Sequence, residues 1–140
     1  MASQDLTIKR IRKANASWLA RIRQELHDIQ FDSSADILYI SYGEPAEAFS
    51  VPLNVQGEDV FLRVEPKTFK IKGIEILNFR KVFLSNHADA KKAFFPYFKL
   101  LGDSDWRIQI RMPAEQDSGQ VALDYFPAYV NSVAPEMVAA

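Results

Sequence analysis

Alternating apolar and polar positions, bordered by turn residues, predict a strand-rich region in the middle of the chain. Residues 37–42 form an apolar run of β-branched and aromatic side chains, with the length and composition of a strand. Residues 60–64 place three apolar side chains on one face of a second strand, and the Pro-containing segment 65–68 has the composition of a turn. The chain then returns over residues 69–77, which predicts a β-hairpin.

Two shorter strands are predicted on either side of the run at residues 37–42. Residues 29–31 form a short apolar strand, and the Asp and Ser side chains of residues 32–36 have the chemistry of a turn. Residues 49–53 predict a strand at the edge of a sheet, because Pro52 has no N–H to donate to a second neighbouring strand.

The apolar phase changes within the second arm of the hairpin. Phe69 and Ile71 occupy odd positions, whereas Ile74 and Ile76 occupy even positions. Because the side chains of a strand alternate between its two faces, a β-bulge at Gly73 would absorb one extra residue. The alternative is a regular strand with both faces partly buried, and the pattern leaves the two interpretations open.

The first 27 residues carry apolar positions at a helical spacing, with basic residues mostly between them. These apolar positions are Ile8, Ile11, Trp18, Ile22 and Leu26. We favour a helix over about residues 15–27, and a cap at Asn15 or Ser17 would divide the segment into two helices. A strand over residues 18–22 is the competing interpretation, since alternate residues there are apolar or small.

A further helix is predicted near residues 86–101, with Ser85 or Asn86 at its N-cap and Gly102 at its C-terminal end. Pro96 is expected to kink or restart this helix, because a proline in a helix removes a backbone donor. Large apolar side chains surround the helix axis too widely for one buried stripe, namely Phe94, Phe95, Tyr97, Phe98, Leu100 and Leu101. The helix either packs the aromatic rings on the sheet or presents them as a partner-facing patch.

Regular alternation returns after this helix. Residues 106–112 alternate apolar and polar side chains, which is the clearest pattern of a strand with one buried face. Residues 121–125 alternate in the same way after a polar loop, so a second β-hairpin is predicted near 106–126. The weakly patterned residues 127–140 predict a frayed tail or a swapped arm that docks on another subunit.

These elements predict an α+β fold with an antiparallel sheet, in a single domain spanning residues 1–140. An N-terminal helical arm over residues 5–27 precedes a core β unit over about residues 27–80. A C-terminal extension over residues 81–140 supplies the second helix and the second hairpin.

Charge is distributed unevenly, although the net charge of the chain is only −1. Residues 1–24 carry six basic residues against Asp5 alone, whereas the remainder of the chain is acidic. Such an arm suits nucleic acid, an anionic membrane surface or an acidic partner, and the alternative is that it folds back on the acidic body. The candidate contact residues are Arg10, Arg12, Lys13, Arg21 and Arg23, with Trp18 available for stacking.

The composition excludes several kinds of chemistry. No cysteine is present, so disulfides, thiolate metal sites and cysteine nucleophiles are ruled out. His27 and His87 lack the spacing of a helical zinc site, no Gly-x-Ser-x-Gly turn is present, and the five glycines are isolated. The sequence therefore predicts no catalytic residue, cofactor or metal. Without an apolar membrane span or a signal segment, a cytoplasmic location is expected.

One set of carboxylates could approach one another across strands, namely Asp32, Asp36 and Glu75. Together they would bind a cation or transfer protons. In the alternative that we favour, Asp32 and Asp36 cap a turn and Glu75 is exposed, because Asp in a turn needs no catalytic role.

Residues 27–80 resemble the family described as domain of unknown function 2283, small domains found in bacteria and archaea. The resemblance lies in Phe31-Asp32, in the run Ala-Asp-Ile-Leu-Tyr-Ile at 35–40 and in Gly-Ile-Glu-Ile-Leu at 73–77. It implies a small antiparallel β unit and no established activity. Some members of that family lie beside small toxin-like proteins, which implies an antitoxin or partner-binding role.

We therefore expect a non-enzymatic protein-binding or assembly protein, acting as a homodimer or as a small subunit of a complex. Its expected contacts are the basic arm and the aromatic residues of the second helix. A nucleic-acid-linked regulator of the antitoxin type is the alternative. An enzyme or ligand-binding domain built on the carboxylate set is the third interpretation.

Overall fold

The computed structural model describes residues 2–22, 24–102, 104–111 and 118–138, and a six-stranded antiparallel sheet forms its centre. The order of the strands across the sheet is β3-β4-β5-β2-β1-β6. The strands are β1 (Leu26–Asp32), β2 (Ile37–Tyr42), β3 (Phe49–Pro52), β4 (Asp59–Val64), β5 (Ile71–Leu77) and β6 (Trp106–Arg111). The predicted α+β class and antiparallel sheet are therefore confirmed.

Helices precede, interrupt and follow the strands along the chain. They are α1 (Ala2–Ala14), α2 (Trp18–Ile22), α3 (Leu84–Asn86), α4 (Ala88–Leu101) and α5 (Ser118–Val133), with a π-helical turn at Phe79–Phe83. Across the described ranges, none of them is long and apolar enough to cross a membrane.

The helical layer covers one face of the sheet. Along β1, Ile29 and Phe31 are buried while Gln30 between them is exposed. The ring of Phe31 lies 6.3 Å from that of Phe79 in the π-helical turn and 5.1 Å from that of Phe98 in α4. Aromatic packing between sheet and helices therefore forms much of the core, and such contacts add to the burial of apolar area.

The opposite face of the sheet is polar, as an antiparallel sheet allows. On this face Arg107 of β6 donates two hydrogen bonds to the carboxylate of Asp28 on β1, at 3.0 and 2.6 Å. These hydrogen bonds lower the pKa of Asp28. The pair lies at the surface, where ion pairs contribute little to stability.

The phase change in β5 is a β-bulge, as one of the two interpretations predicted. Arg63 pairs with Gly73 but the next residue of β4, Val64, pairs with Ile71, so Lys72 is the extra residue. A Cβ on Gly73 would lie 2.5 Å from the carbonyl oxygen of Ile40 on β2, closer than real contacts allow. The glycine therefore permits the close approach of β2 at the bulge.

The N-terminal arm differs from the favoured prediction. A single helix over 15–27 is wrong, because the chain enters β1 at Leu26. The alternative of two helices is confirmed, since the chain breaks between α1 and α2. The break depends on Asn15, which is buried and donates to the carbonyls of Ile11 and Phe69 at 2.7 and 2.9 Å. Its side-chain oxygen accepts the N–H of Ile71 at 2.9 Å. Asn15 thus joins the end of α1 to the start of β5.

The prediction of a second hairpin near 106–126 is also wrong. Strand β6 pairs with β1, and residues 118–133 form the helix α5 instead of a returning strand. Phe126, Tyr129 and Val130 are buried at the spacing of a helix, a period that the short alternation at 121–125 concealed. Residues 127–138 form neither a frayed tail nor a swapped arm, since Tyr129, Val130 and Met137 are buried in the core of the same chain. Residues 139–140 lie outside the described residues.

Other local predictions are confirmed. The helix predicted near 86–101 is α4, with Pro96 inside it and Gly102 at its C-cap. The N-cap is His87, and not Ser85 or Asn86. The short strand at Phe49–Pro52 lies at the edge of the sheet, as its proline predicts.

Replacing the glycine of the bulge is expected to destabilise the fold. Gly73→Ala forces a methyl group against the Ile40 carbonyl, so the free energy of unfolding should fall by about 2 kcal/mol. Urea unfolding followed by circular dichroism measures this change. The control is Ser41→Ala, an exposed position that pairs with Gly73 across the sheet, where we expect a change within about 0.5 kcal/mol. Equal effects of the two substitutions would contradict the role of the glycine.

Candidate functional site

A cleft of about 480 Å³ lies between the turn that joins β1 to β2, the π-helical turn and α4. We call it the cationic cleft. Its lining residues are Phe31, Ser33, Ser34, Ala35, Asp36, Asn78, Arg80, Lys81, Leu84, Ser85, Lys91, Phe95 and Phe98. Its volume falls within the usual range for binding clefts in proteins.

The position of the cleft depends on Asp36, which is only 9% exposed. Its carboxylate accepts the backbone N–H groups of Arg80 at 2.9 Å and Lys81 at 3.1 Å. Its own carbonyl oxygen accepts the N–H of Phe79 at 2.9 Å. Asp36 adopts a left-handed conformation with φ +56°, which Asp tolerates better than most residues. The turn of the first hairpin is thereby held against the first residues of the π-helical turn.

Positive charge dominates the lining of the cleft. Arg80, Lys81 and Lys91 are all exposed, whereas both carboxylate oxygens of Asp36 already accept backbone N–H groups. The guanidinium of Arg80 lies 4.6 Å from the centre of the Phe98 ring, a distance that permits a cation–π contact. Positive charges gathered in a concave surface raise the local concentration of anions.

The apolar part of the cleft extends beyond it. Phe95 is 61% exposed, and together with Lys91 it also lines a second hollow of about 480 Å³. That hollow runs along α4 and is otherwise lined by Ala88, Asp89, Lys92 and Pro96. The two concave surfaces meet at Phe95 and Lys91, so the combined surface is elongated and offers one large exposed ring near cations.

Ser33 and Ser34, on the other side of the cleft, already donate hydrogen bonds to aspartate side chains. The hydroxyl and the backbone N–H of Ser33 both donate to Asp105 at 2.8 Å, and the Ser34 hydroxyl donates to Asp32 at 2.8 Å. The hydrogen bonds from Ser33 lower the pKa of Asp105. Because these hydroxyl protons are used, contacts to an anion would come from the exposed residues Lys81 and Lys91.

The aromatic residues predicted to face a partner divide into two groups. Phe95 and Phe98 line the cationic cleft. Phe94 is fully buried against Phe79 and Phe126, so its prediction as a partner-facing residue is wrong. Tyr97 is half-buried, with its ring 6.0 Å from that of Trp106. Most of these aromatic side chains therefore pack between α4 and the rest of the protein, and Phe95 remains exposed.

The basic arm divides in the same way. Trp18 is fully buried and donates from its indole to Asn131 at 3.1 Å, so it is not available for stacking. Arg21 donates to the Ile71 carbonyl at 2.8 Å and pairs with Glu25 at 3.2 Å, and burial lowers its pKa. Both residues hold the arm on the body, as the fold-back alternative states. The other basic residues predicted to contact a partner are Arg10, Arg12 and Lys13, which are exposed, and Arg23, which lies outside the described residues.

The arm and the cleft lie at opposite ends of β5. Asn15 contacts the first residue of β5, whereas Asn78, which follows the last residue, lines the cleft. Seven residues of a strand span roughly 20 Å. The two predicted contact regions therefore do not form one surface.

The carboxylates of Asp32, Asp36 and Glu75 do not act together. Asp32 accepts hydrogen bonds within its own turn from the hydroxyl of Ser34 and the N–H of Ala35. Asp36 accepts the backbone N–H groups of Arg80 and Lys81. Glu75 pairs across the sheet with Tyr39. The turn-capping alternative is confirmed for Asp32. The carboxylate of Asp36 instead caps the π-helical turn, and Glu75 is half-buried and not exposed as expected. Within the described ranges, no three His, Asp or Glu side chains are placed to hold a metal ion.

A second polar cluster links three elements on the covered side of the protein. His87 contacts Glu58 at 2.6 Å through Nε2 and the Tyr125 hydroxyl at 2.8 Å through Nδ1, while Tyr129 donates to Glu58 at 2.7 Å. Burial, followed by the hydrogen bond to Glu58, raises the pKa of Tyr129. The polar groups of the cluster form hydrogen bonds with one another. The cluster therefore links the loop before β4 to α4 and α5.

Sequence reasoning missed both groupings. The available signal for the cleft was a pair of adjacent basic residues, Arg80-Lys81, with a second pair, Lys91-Lys92, one helix later. No local pattern connects Glu58 with His87 or the tyrosines of α5, since only the fold brings them together.

Comparison with known proteins finds no matching family model, no matching curated protein and no matching solved structure. The resemblance of residues 27–80 to domain of unknown function 2283 stays a prediction.

Tyr129→Phe is expected to lower the free energy of unfolding by about 1 kcal/mol near neutral pH, because the hydrogen bond to Glu58 is lost. The unfolded chain ionises its tyrosines near pH 10, about as free tyrosine does, whereas the raised pKa keeps Tyr129 neutral in the folded protein. The parent protein therefore loses stability as pH rises through about 10, and Phe at 129 removes that contribution.

The difference between parent and variant should accordingly stay constant up to about pH 9 and narrow between about pH 9 and pH 11. Urea unfolding at a series of pH values measures it, with the parent protein as the reference at each pH. A difference that stays constant over this range would contradict the raised pKa.

Proposed function

We propose that this protein is a non-enzymatic binding protein that captures an acidic segment of a partner protein in the cationic cleft. The observation that carries the proposal is the position of Phe95, an exposed ring between two concave surfaces and beside Lys91. Exposed aromatic residues bordered by cations are typical of the residues that dominate binding energy in protein interfaces.

The shape of the surface supports a chain-like ligand. The cleft continues past Phe95 into the hollow along α4, so an extended segment could contact both while a small molecule would fill only one. Lys81 and Lys91 would meet carboxylates of the partner, and an apolar side chain of the partner would cover Phe95. Since Asp36 is occupied by backbone N–H groups, it opposes an acidic ligand only weakly.

The lining also supports a binding role over a catalytic one. General acid–base chemistry needs a titratable group that can exchange protons with a bound substrate. The one carboxylate of the cleft already accepts two backbone hydrogen bonds, and its three other charged residues are cations.

A nucleic-acid-linked regulator is the second candidate. Arg10, Arg12 and Lys13 are exposed on α1 and would supply phosphate contacts. Trp18 is buried, however, which removes the stacking residue from this account. The membrane-surface alternative loses the same residue, as well as Ile11 and Ile22, which are buried in the core.

The experiment uses synthetic fluorescent peptides whose binding is followed by anisotropy. One peptide is rich in Glu and Asp and carries a central Trp, a second is acidic without the Trp, and a third carries Trp among Lys residues. The acidic peptide with Trp should bind most tightly, and added salt should weaken it. Equal binding of the acidic and the basic peptide would contradict the proposal.

Substitutions on α4 locate the binding surface. Phe95→Ala and Lys91→Glu should each weaken binding of the acidic Trp peptide by roughly tenfold, because each removes a contact shared by both hollows. The matched controls on the same helix are Leu100→Ala and Lys99→Glu. Leu100 is 82% exposed, more than Phe95, and neither control residue lines either hollow. Loss of binding in the controls as large as in the test variants would refute the location.

The variant Arg12→Glu with Lys13→Glu separates the two candidate functions. It should leave peptide binding unchanged, since α1 lies at the other end of β5 from the cleft. The regulator would be favoured instead by a different result. The parent protein would then bind single-stranded DNA in a salt-dependent way and would not bind the peptides, and the double variant would lose the DNA binding.

A further inference from the structure

The two edges of the sheet differ in how they are protected from pairing with another strand. The edge strand β3 has only four residues and ends with Pro52, which cannot donate to a new neighbour. The other edge strand, β6, has six residues and pairs with β1 through six consecutive positions without a shift. Proteins commonly protect such an edge with proline, a bulge or an inward-pointing charge, and β6 has none of these.

The side chains of β6 also lack complete cover. Ile108 and Ile110 alternate with the exposed Arg107 and Gln109, so they lie on the face that the helices cover, yet both remain half-buried. In the described part of the chain, β1 is the one strand that pairs with β6. Among the described residues, the outer edge of β6 therefore has no paired strand, and its backbone groups lie next to partly exposed apolar side chains.

We propose that two copies of this chain pair through their β6 strands, antiparallel about a two-fold axis at Ile108, to form one continuous sheet. This interface lies outside the cationic cleft and does not rest on the function proposed for it. A two-fold axis perpendicular to the sheet keeps both helical layers on the same side, so residues directly opposite one another share a face.

Complementarity selects this register. With the axis at Ile108, that residue meets its own copy, Trp106 lies opposite Ile110, and Arg107 lies opposite Gln109. One step further, the exposed Asp105 lies opposite position 111, which is an arginine. Such apolar and opposite-charge pairs stabilise neighbouring strands.

The neighbouring registers are unfavourable. An axis at residue 107 would set Arg107 against its own copy, and an axis at residue 109 would set Arg107 against position 111, also an arginine. Like charges directly opposite one another destabilise a strand pair. The same reasoning favours a second copy over an arbitrary strand, because the sequence of β6 is complementary to itself.

The absence of cysteine from the chain allows a direct test with single introduced cysteines. In the proposed register Ile108→Cys places two thiols opposite each other, with Cβ atoms roughly 5 Å apart, close to disulfide distance. Ile110→Cys is the matched control on the same face of the same strand. Its two copies would be offset by four positions, or roughly 13 Å, and cannot be bridged.

Under mild oxidation, Ile108→Cys should form a disulfide-linked dimer at least roughly tenfold faster than Ile110→Cys. The unsubstituted protein should show twice the mass of one chain by light scattering at high concentration. A monomeric mass at every concentration, with equally slow cross-linking of both variants, would overturn the proposal. Faster cross-linking of Arg107→Cys or Gln109→Cys than of Ile108→Cys would overturn the register. Peptide binding measured on the same variants reports on the cleft separately.

Discussion

The buried carboxylate of Asp36 is the interaction on which the arrangement of the helical layer depends. The carboxylate accepts the backbone N–H groups of Arg80 and Lys81, and the backbone carbonyl of Asp36 accepts the N–H of Phe79. One residue thus accepts three hydrogen bonds at the start of a helical segment. A buried N–H without an acceptor is costly, and Asp36 removes that cost where the chain leaves β5. The charges of the cleft project from the segment that Asp36 holds.

The aromatic core follows from that placement. Phe79, held by Asp36, contacts four other rings, those of Phe31, Phe83, Phe94 and Phe98. These contacts connect β1, the π-helical turn and α4 in one cluster, which extends to Phe126 of α5 through Phe94. Because Phe94 and Phe98 face this cluster, the helical period directs Phe95 away from it, and Phe95 remains exposed.

The two proposed interaction surfaces are compatible with each other. The cleft opens between the first hairpin and α4, whereas β6 is the outermost strand at one side of the described sheet. Pairing about an axis perpendicular to the sheet would place the two clefts of a dimer on the same side. A partner with two acidic segments would then gain affinity from the second contact without any new interaction.

Local sequence patterns determined the strands at 37–42 and 60–64 and the edge strand with Pro52, and they offered the bulge at Gly73 as one of two interpretations. These features follow from side-chain alternation and backbone chemistry within a few residues. Tertiary structure decided the remainder. The alternation at 121–125 fits a strand or part of a helix, and burial of Phe126, Tyr129 and Val130 selected the helix. The cationic cleft joins Asp36 to residues more than forty positions away, a contact that no local period encodes.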